Sequence, residues 1–259
     1  MVINLKDRNS FILKALIKEY TRTGEPVASE ILNAKYRLGV SSATIRNDFV
    51  ILTEEGYLYK PYISSGRIPT DKAWKFFIDT IFEDENDSLE QWEEKLKNQV
   101  LKIKPKPKEH INFIKEIKKL LDVISEESHS FCFCYLFEED EIIKQGLKYM
   151  FAEVLEEELL TSRFFQQIAE SLERLDEKLK YIKIDENPLI SSKVRNKVLT
   201  KGEVLILIGK ENPFVRSDQF SSLLSVVSKP RAILGILGPK RMPYKRNIAI
   251  LRAITNLTS

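Results

Sequence analysis

Apolar positions along the chain change period from region to region, and the period names the element. Between Asp7 and Tyr20 the residues Phe11, Ile12, Ala15, Leu16 and Tyr20 recur at helical spacing, which predicts an amphipathic helix. Gly24-Glu25-Pro26 stops it. Pro26, preorganised for a first helical position, then opens a short second helix with apolar residues Val27, Ile31, Leu32 and Tyr36. After the turn Arg37-Leu38-Gly39-Val40, Ser41 or Ser42 offers a capping hydroxyl to a third helix. At about 100° per residue, Ile45, Phe49 and Leu52 fall within about 60° of one another and form its inward stripe. The opposite face presents Ala43, Arg46, Asn47 and Val50, with Ser42 and Thr44 at the N-terminal end. Next, Tyr57-Leu58-Tyr59-Lys60-Pro61-Tyr62 and Arg67-Ile68-Pro69 flank Ser64-Ser65-Gly66, a β-ribbon with a tight turn and Arg67 near its tip.

Further along, Ile111 to Ile124 and residues 161 to 181 carry helical stripes, the second made of Phe165, Ile168, Leu172, Leu175 and Leu179. Such stripes need partners, within the chain or across a dimer. Val204 to Ile208, Ser222 to Val227 and Ala232 to Leu237 are expected as strands, Gly238-Pro239 ends the last, and a final helix follows Pro243 from Tyr244 to Leu257. Helices alternating with a mostly antiparallel sheet give an α+β domain.

Charge divides the chain more sharply than hydropathy does. The total is nearly balanced, 41 Lys+Arg against 38 Asp+Glu, yet residues 110–180 hold 9 basic and 16 acidic groups and residues 181–259 hold 14 and 5. Between Glu83 and Glu94 seven acids occur with no base, and between Lys95 and Lys108 six Lys occur with no acid, ending in Lys104-Pro105-Lys106-Pro107-Lys108. Alternating Pro cannot be helix interior, so residues 83–109 read as a linker between a first domain, 1–82, and a second, 110–259. Hydrophobic residues at 43%, charged residues at 31% and few Gly and Pro exclude collagenous and low-complexity classes. The longest apolar run, Phe131 to Phe137, is far too short to span a bilayer, and the first residues reach charges before any leader-like stretch. Two Cys make no disulfide scaffold, so a cytoplasmic location without membrane contact is expected.

The outer face of the third helix carries the chemistry. Small residues allow close approach, and Arg and Asn have the forked donors that read guanine and adenine edges in a major groove. A ribbon after such a helix is a wing, from which Arg67 can reach phosphates or the minor groove. The strings Gly24-Glu25-Pro26-Val27, Val40-Ser41-Ser42-Ala43-Thr44-Ile45-Arg46-Asn47-Asp48 and Ser65-Gly66-Arg67-Ile68-Pro69-Thr70-Asp71-Lys72 occur in order. In them the chain resembles the N-terminal, winged helix-turn-helix domain of the HrcA family, bacterial heat-shock repressors that bind an inverted-repeat operator in double-stranded DNA upstream of chaperonin genes. The resemblance carries DNA contact onto Ser42, Ala43, Thr44, Arg46 and Asn47 of the helix and onto Ser65, Gly66 and Arg67 of the wing. Tyr62 departs from the family, which usually has His in that part of the wing.

Ile208-Gly209-Lys210-Glu211-Asn212 and Gly235 to Tyr244 also resemble this family, whose corresponding region is GAF-like, with a small-molecule-sensor ancestry. The resemblance further implies a homodimer and control by the chaperonin GroEL. Family members carry a longer segment after the first sheet strand, including an inserted dimerising domain. Here Phe131–Phe137 leads almost directly to Glu139-Asp140-Glu141-Ile142-Ile143 and Gly146-Leu147.

Other chemistry is sparse. His129, Cys132 and Cys134 lack a second Cys pair and read as core rather than metal ligands, His110 reads as a surface residue, and Glu153, Glu156, Glu157 and Glu158 as a solvated helix face. Lys240 and Arg241 could hold an anion or neutralise an acidic helix. No phosphate-loop, dinucleotide or nucleophile-elbow motif occurs, so neither an enzyme nor a cofactor is expected. The expected function is a dimeric repressor of heat-shock genes. The alternatives are a ligand-sensing winged-helix factor of an unrelated regulon and an enzyme with an accessory DNA-binding domain.

Overall fold

The computed structural model describes residues 7–63, 65–83, 94, 110–156, 162–180, 192–194, 197–199, 203–215, 217–228 and 231–257. The expected Lys/Pro linker, beyond Glu83 and Glu94, lies outside them. The chain forms two compact units, Met1–Glu85 and Asn86–Ser259.

In the first unit α1 runs Asp7–Thr23, α2 Ser29–Tyr36 and α3 Ser42–Glu54. Strands β1, Leu58–Tyr59, and β2, Ile68–Pro69, pair antiparallel with Leu58 opposite Pro69, and α4 follows at Asp71–Glu83. The core joins Ile12, Leu13, Leu16 and Ile17 of α1 to Leu32, Ile45, Phe49, Leu52 and Trp74, all essentially buried. Two expectations for α1 are corrected. Phe11 is exposed and Tyr20 half-buried, while Leu13 and Ile17 take inward places, because neighbours close around a wider arc of the helix than one narrow stripe. Pro26 does not open α2 either. Val27 forms a β-bridge with Arg67, which delays the helix to Ser29 and leaves Ala28 as its cap. Ile31, expected inward, is exposed. Helix α4, not foreseen, places Trp74 against Tyr20 with ring centroids 6.3 Å apart and Phe76 edge-on to Tyr57 at 6.0 Å.

The second unit is α+β. Helix α5, His110–Ser128, precedes the hairpin of β3, Phe131–Leu136, and β4, Glu141–Gln145; α6, Leu147–Glu156, follows. The helix expected over 161–181 is two, α7 at Ser162–Glu173 and α8 at Leu175–Lys180, meeting at Arg174. Strands β5, Ser192–Val194, and β6, Lys197–Leu199, make a separate ribbon. Then come β7, Leu205–Ile208, β8, Phe220–Val227, β9, Ala232–Pro239, and α9, Tyr244–Leu257. Strand β9 runs through Gly238-Pro239 rather than ending before them. The main sheet has five antiparallel strands in the order β4-β3-β9-β8-β7, consistent with a GAF-like domain.

Both faces of its central strands are buried, which explains near-continuous apolar runs where alternation would mark a half-exposed sheet. One face packs Phe131, Phe133, Leu224, Val226, Ile233 and Leu237 against Met150 of α6 and Ile168, Leu172, Leu175 and Leu179 of α7 and α8. Gly235 leaves room there for the Phe133 ring, since a Cβ would overlap its Cζ. On the other face the Tyr244 hydroxyl of α9 and the Ser221 hydroxyl of β8 lie 2.9 Å apart in a hydrogen bond. Lys144 ties β4 to the end of α7 by donating to the Leu172 carbonyl at 2.8 Å.

Candidate nucleic-acid interface

Helix α3 begins with a capping bond: the Ser41 hydroxyl accepts from the Thr44 amide at 3.1 Å. Its rotation is fixed from inside. Ile45, Phe49 and Leu52 are buried, and so is Asp48, which occupies the same stripe at i+3 from Ile45. Asp48 accepts two hydrogen bonds from Arg8, Nε to Oδ2 at 3.0 Å and Nη2 to Oδ1 at 2.7 Å. Sequence reasoning missed this anchor because it sought apolar residues only, although the i, i+3, i+4, i+7 spacing of 45, 48, 49 and 52 contained it.

With that stripe inside, Ala43, Arg46, Asn47 and Val50 are exposed together, and Ser42 and Thr44 are half-buried at the N-terminal end. Arg46 donates from Nη2 to Glu30 Oε1 of α2 at 2.5 Å, a pair exposed on both sides. Glu30 titrates below its ordinary range, chiefly through a bond from its own backbone amide and then through Arg46. The turn between α2 and α3 is tight. Arg37 caps α2 in the left-handed region at φ 45°, and Gly39 follows at φ 70°.

Arg67 is not near the ribbon tip. Its amide donates to the Val27 carbonyl at 2.9 Å, its carbonyl accepts from Val27 at 3.0 Å, and its Nε donates to Thr53 Oγ1 at 3.2 Å, so it lies half-buried at the base. The tip presents Tyr62 and Ile63, 73% and 95% exposed. The Ser65 hydroxyl closes the turn, accepting from the Tyr62 amide at 3.0 Å and donating to its carbonyl at 2.7 Å. Gly66 passes so close to the preceding chain that a Cβ would overlap the Val27 carbonyl carbon and oxygen. The string Thr70-Asp71-Lys72 is equally architectural. The Thr70 hydroxyl donates to the Gly56 carbonyl at 2.7 Å, and Lys72 donates to the Glu55 carbonyl at 2.7 Å while lying 4.2 Å from the Tyr57 ring centre.

A second buried carboxylate braces α1 against α2. Glu19 accepts from Arg22 at 2.7 Å, from Lys35 at 2.6 Å and from the Tyr36 hydroxyl at 3.3 Å. The Arg22 hydrogen bond above all, with Lys35, holds its carboxyl down at about 2.

Comparison with known proteins decides the family. A family model described as the HrcA protein C-terminal domain matches residues 81–248, more than half of the chain. The chain belongs to the HrcA family. Relatives named heat-inducible transcription repressor HrcA include those of Chloroflexus aurantiacus, 52% identical over 79 residues, and Nocardia farcinica, 47% over 83 residues. The matched stretches cover 30% and 32% of this chain and 21% and 24% of those proteins, so the chain spans about a quarter of the length of the curated HrcA relatives it matches. A solved crystal structure described only as that of a hypothetical protein shares the fold, with TM-score 0.69 and 18% identity over 99% of this chain and 98% of its own.

The remaining candidates of the sequence belong to the second unit of this HrcA-family chain. Cys132 and Cys134 are buried in β3, where burial pushes both thiols up to about 12, and the Cys132 sulfur lies 3.6 Å from the Ser128 hydroxyl. The His129 ring packs on Tyr149 with centroids 5.4 Å apart. Among the described residues no group of three or more His, Cys, Asp or Glu could hold a metal, and no helix is long and apolar enough to cross a membrane. The side chains of His110 and of the Glu153, Glu156, Glu157 and Glu158 cluster lie outside the described residues. Lys240 and Arg241 follow β9 half-buried, and the Lys240 amide donates to the Gln219 carbonyl at 2.8 Å.

Proposed function

We propose that this chain is a DNA-binding transcription repressor of heat-shock and chaperone genes that acts as a homodimer on an inverted-repeat operator. The observation that carries the reading is the outward face of α3, where Ala43, Arg46, Asn47 and Val50 are exposed together beside Ser42 and Thr44. A capped helix with small residues and two forked donors on its free face, followed by a ribbon, has the chemistry of a winged helix-turn-helix. The names of relatives 47–52% identical over 79 to 83 residues support the same assignment.

In this reading residues 1–82 bind DNA, residues 83–109 link, and residues 110–259 form the GAF-like sensor and dimerisation domain, working in the cytoplasm with no catalysis and no cofactor. Ser42, Ala43, Thr44, Arg46 and Asn47 enter the major groove. Ser65 and Gly66 keep the ribbon in shape, and Arg67, steadied by Thr53, faces phosphate from its base. Two such faces related by a two-fold axis match an inverted repeat and occlude a promoter. Warming that reduces the folded dimer releases the operator, and GroEL restores the binding form.

Selection of host genomic fragments on the full chain tests the reading, together with light scattering of the selected complexes. Recovery of an inverted repeat upstream of chaperonin genes, bound by two copies, is expected. Recovery of fragments without a two-fold repeat, or a monomer both free and on DNA, overturns it. Affinity for that repeat that falls on modest warming and returns with GroEL is the expected control behaviour; affinity indifferent to both removes the regulatory part.

A further inference from the structure

We propose that Glu30 is a specificity-determining residue of the DNA-reading face, holding the Arg46 guanidinium for a base edge and penalising its use on phosphate. This inference rests on the DNA-binding reading above. Arg46 extends from the exposed face of α3 and Glu30 from the first turn of α2, and they meet through Arg46 Nη2 and Glu30 Oε1 at 2.5 Å. The side chains are 64% and 60% exposed, and an ion pair so open to water contributes little to folding. Its effect falls on what Arg46 does next.

A guanidinium carries five N–H donors, and the Glu30 contact takes one. Four remain for bidentate bonding to the N7 and O6 acceptors of guanine, so Arg46 can satisfy a base edge without leaving Glu30. Pre-orientation also removes rotamer freedom that a long side chain would otherwise lose on binding. On non-cognate DNA the balance reverses. Arg46 then gains most by turning to phosphate, which strips Glu30 of its partner and leaves a carboxylate beside a polyanion. Repulsion of the wrong partner raises discrimination even where it lowers total affinity. Glu30 is suited to this because its carboxylate is held in the charged form by its own backbone amide as well as by Arg46.

The test measures full-length parent, Glu30→Gln, Arg46→Ala and the double variant against two duplexes at several salt concentrations. One duplex is the inverted repeat found upstream of the host's chaperonin genes, and the other has the same composition with the repeat scrambled. Glu30→Gln should bind the scrambled duplex more tightly, and its operator-to-scrambled ratio should fall about three- to fivefold per half-site. Its log–log salt slope on the scrambled duplex should steepen by about 0.9 as Arg46 engages a phosphate. In the Arg46→Ala background the same substitution should leave the ratio unchanged, with the melting midpoint unaffected in both. A parent that discriminates while Glu30→Gln keeps its ratio overturns this inference alone, as does an equal change with and without Arg46. A parent that does not discriminate between the duplexes overturns the DNA reading and this inference with it.

Discussion

Arg8 and Asp48, forty positions apart in the chain, are joined by two parallel hydrogen bonds that tie the start of α1 to the middle of α3. The partners are unequal, since the Arg8 side chain is 57% exposed and that of Asp48 only 1%. Removing Arg8 would leave a carboxylate inside the core, and removing the charge of Asp48 would leave an exposed arginine. The pair therefore adds to Ile45, Phe49 and Leu52 a polar tie on the inward stripe of α3, opposite the residues that face outward.

Asp48→Asn keeps the shape of the side chain but presents donors where Arg8 also donates. Its melting midpoint should drop by roughly 5–10 °C, with operator affinity falling in parallel because Arg46 and Asn47 lose their fixed orientation. Calorimetry and an operator titration on the same preparation check this. A variant as stable as the parent would mean that Ile45, Phe49 and Leu52 hold the helix alone and the two bonds add nothing.

Glu19 gives the first unit an acid limit. Its carboxyl is held at about 2 against an ordinary 4.5, so the folded state favours the charged form more than the unfolded chain does. The stabilisation is complete above pH 4.5 and is lost as the pH falls toward 2. Glu19→Gln should be less stable than the parent at neutral pH, and the gap should close through that window. Urea midpoints at about pH 7, 4 and 2.5 measure it; a gap that stays constant would show that packing, and not charge, accounts for the difference.

Gly66 belongs to the ribbon for steric reasons. A Cβ would press on the backbone of Val27, and the nearest Pro26 atom would be 2.7 Å away, so no rotation of a side chain relieves the clash. Gly66→Ala should cost about 1–3 kcal/mol and open the Val27–Arg67 bridge. Faster hydrogen exchange of the Val27 and Arg67 amides is the expected signature, and unchanged exchange would contradict the close approach.

These positions also mark what could be read in the sequence. Ile45, Phe49 and Leu52 announced the inward face of α3 because one helix period governs all three. Tyr244–Leu257 was legible because Pro243 fixes its start. Asp48 and Glu19 are not found by tracing apolar stripes: the helix period places Asp48 inward, but its partner Arg8, and Lys35 beside Glu19, come from distant parts of the chain. Pro26 misled for a related reason: the local preference for a helix start yielded to a bridge between its neighbour Val27 and the distant Arg67. Strand β4 escaped notice because only Ile142 and Ile143 are apolar in it, and its place comes from pairing with β3, Cys134 opposite Ile143. The placement of Arg67 depended on where the ribbon turns, which Ser65 and Tyr62 decide.

Arg46 and Arg67 should fail in different ways, and that difference separates reading from attachment. Arg46 lies on the free face of α3, whereas Arg67 is anchored at the ribbon base by the Val27 bridge and Thr53. Arg46→Ala should remove roughly 1 to 3 kcal/mol of specific affinity per half-site and leave binding to a scrambled duplex nearly intact, because bidentate base recognition carries discrimination. Arg67→Ala should weaken both duplexes alike and reduce the log–log salt slope by about 0.9 for each phosphate that is no longer neutralised. It should also lower the melting midpoint slightly, since Thr53 loses a donor, whereas the exposed pair of Arg46 with Glu30 predicts almost no change there. Titrations of both variants at several salt concentrations, with a melt of each, distinguish the roles. If Arg46→Ala binds the operator as tightly as the parent, the outward face of α3 does not read DNA, and the function built on Ser42 to Asn47 falls with it.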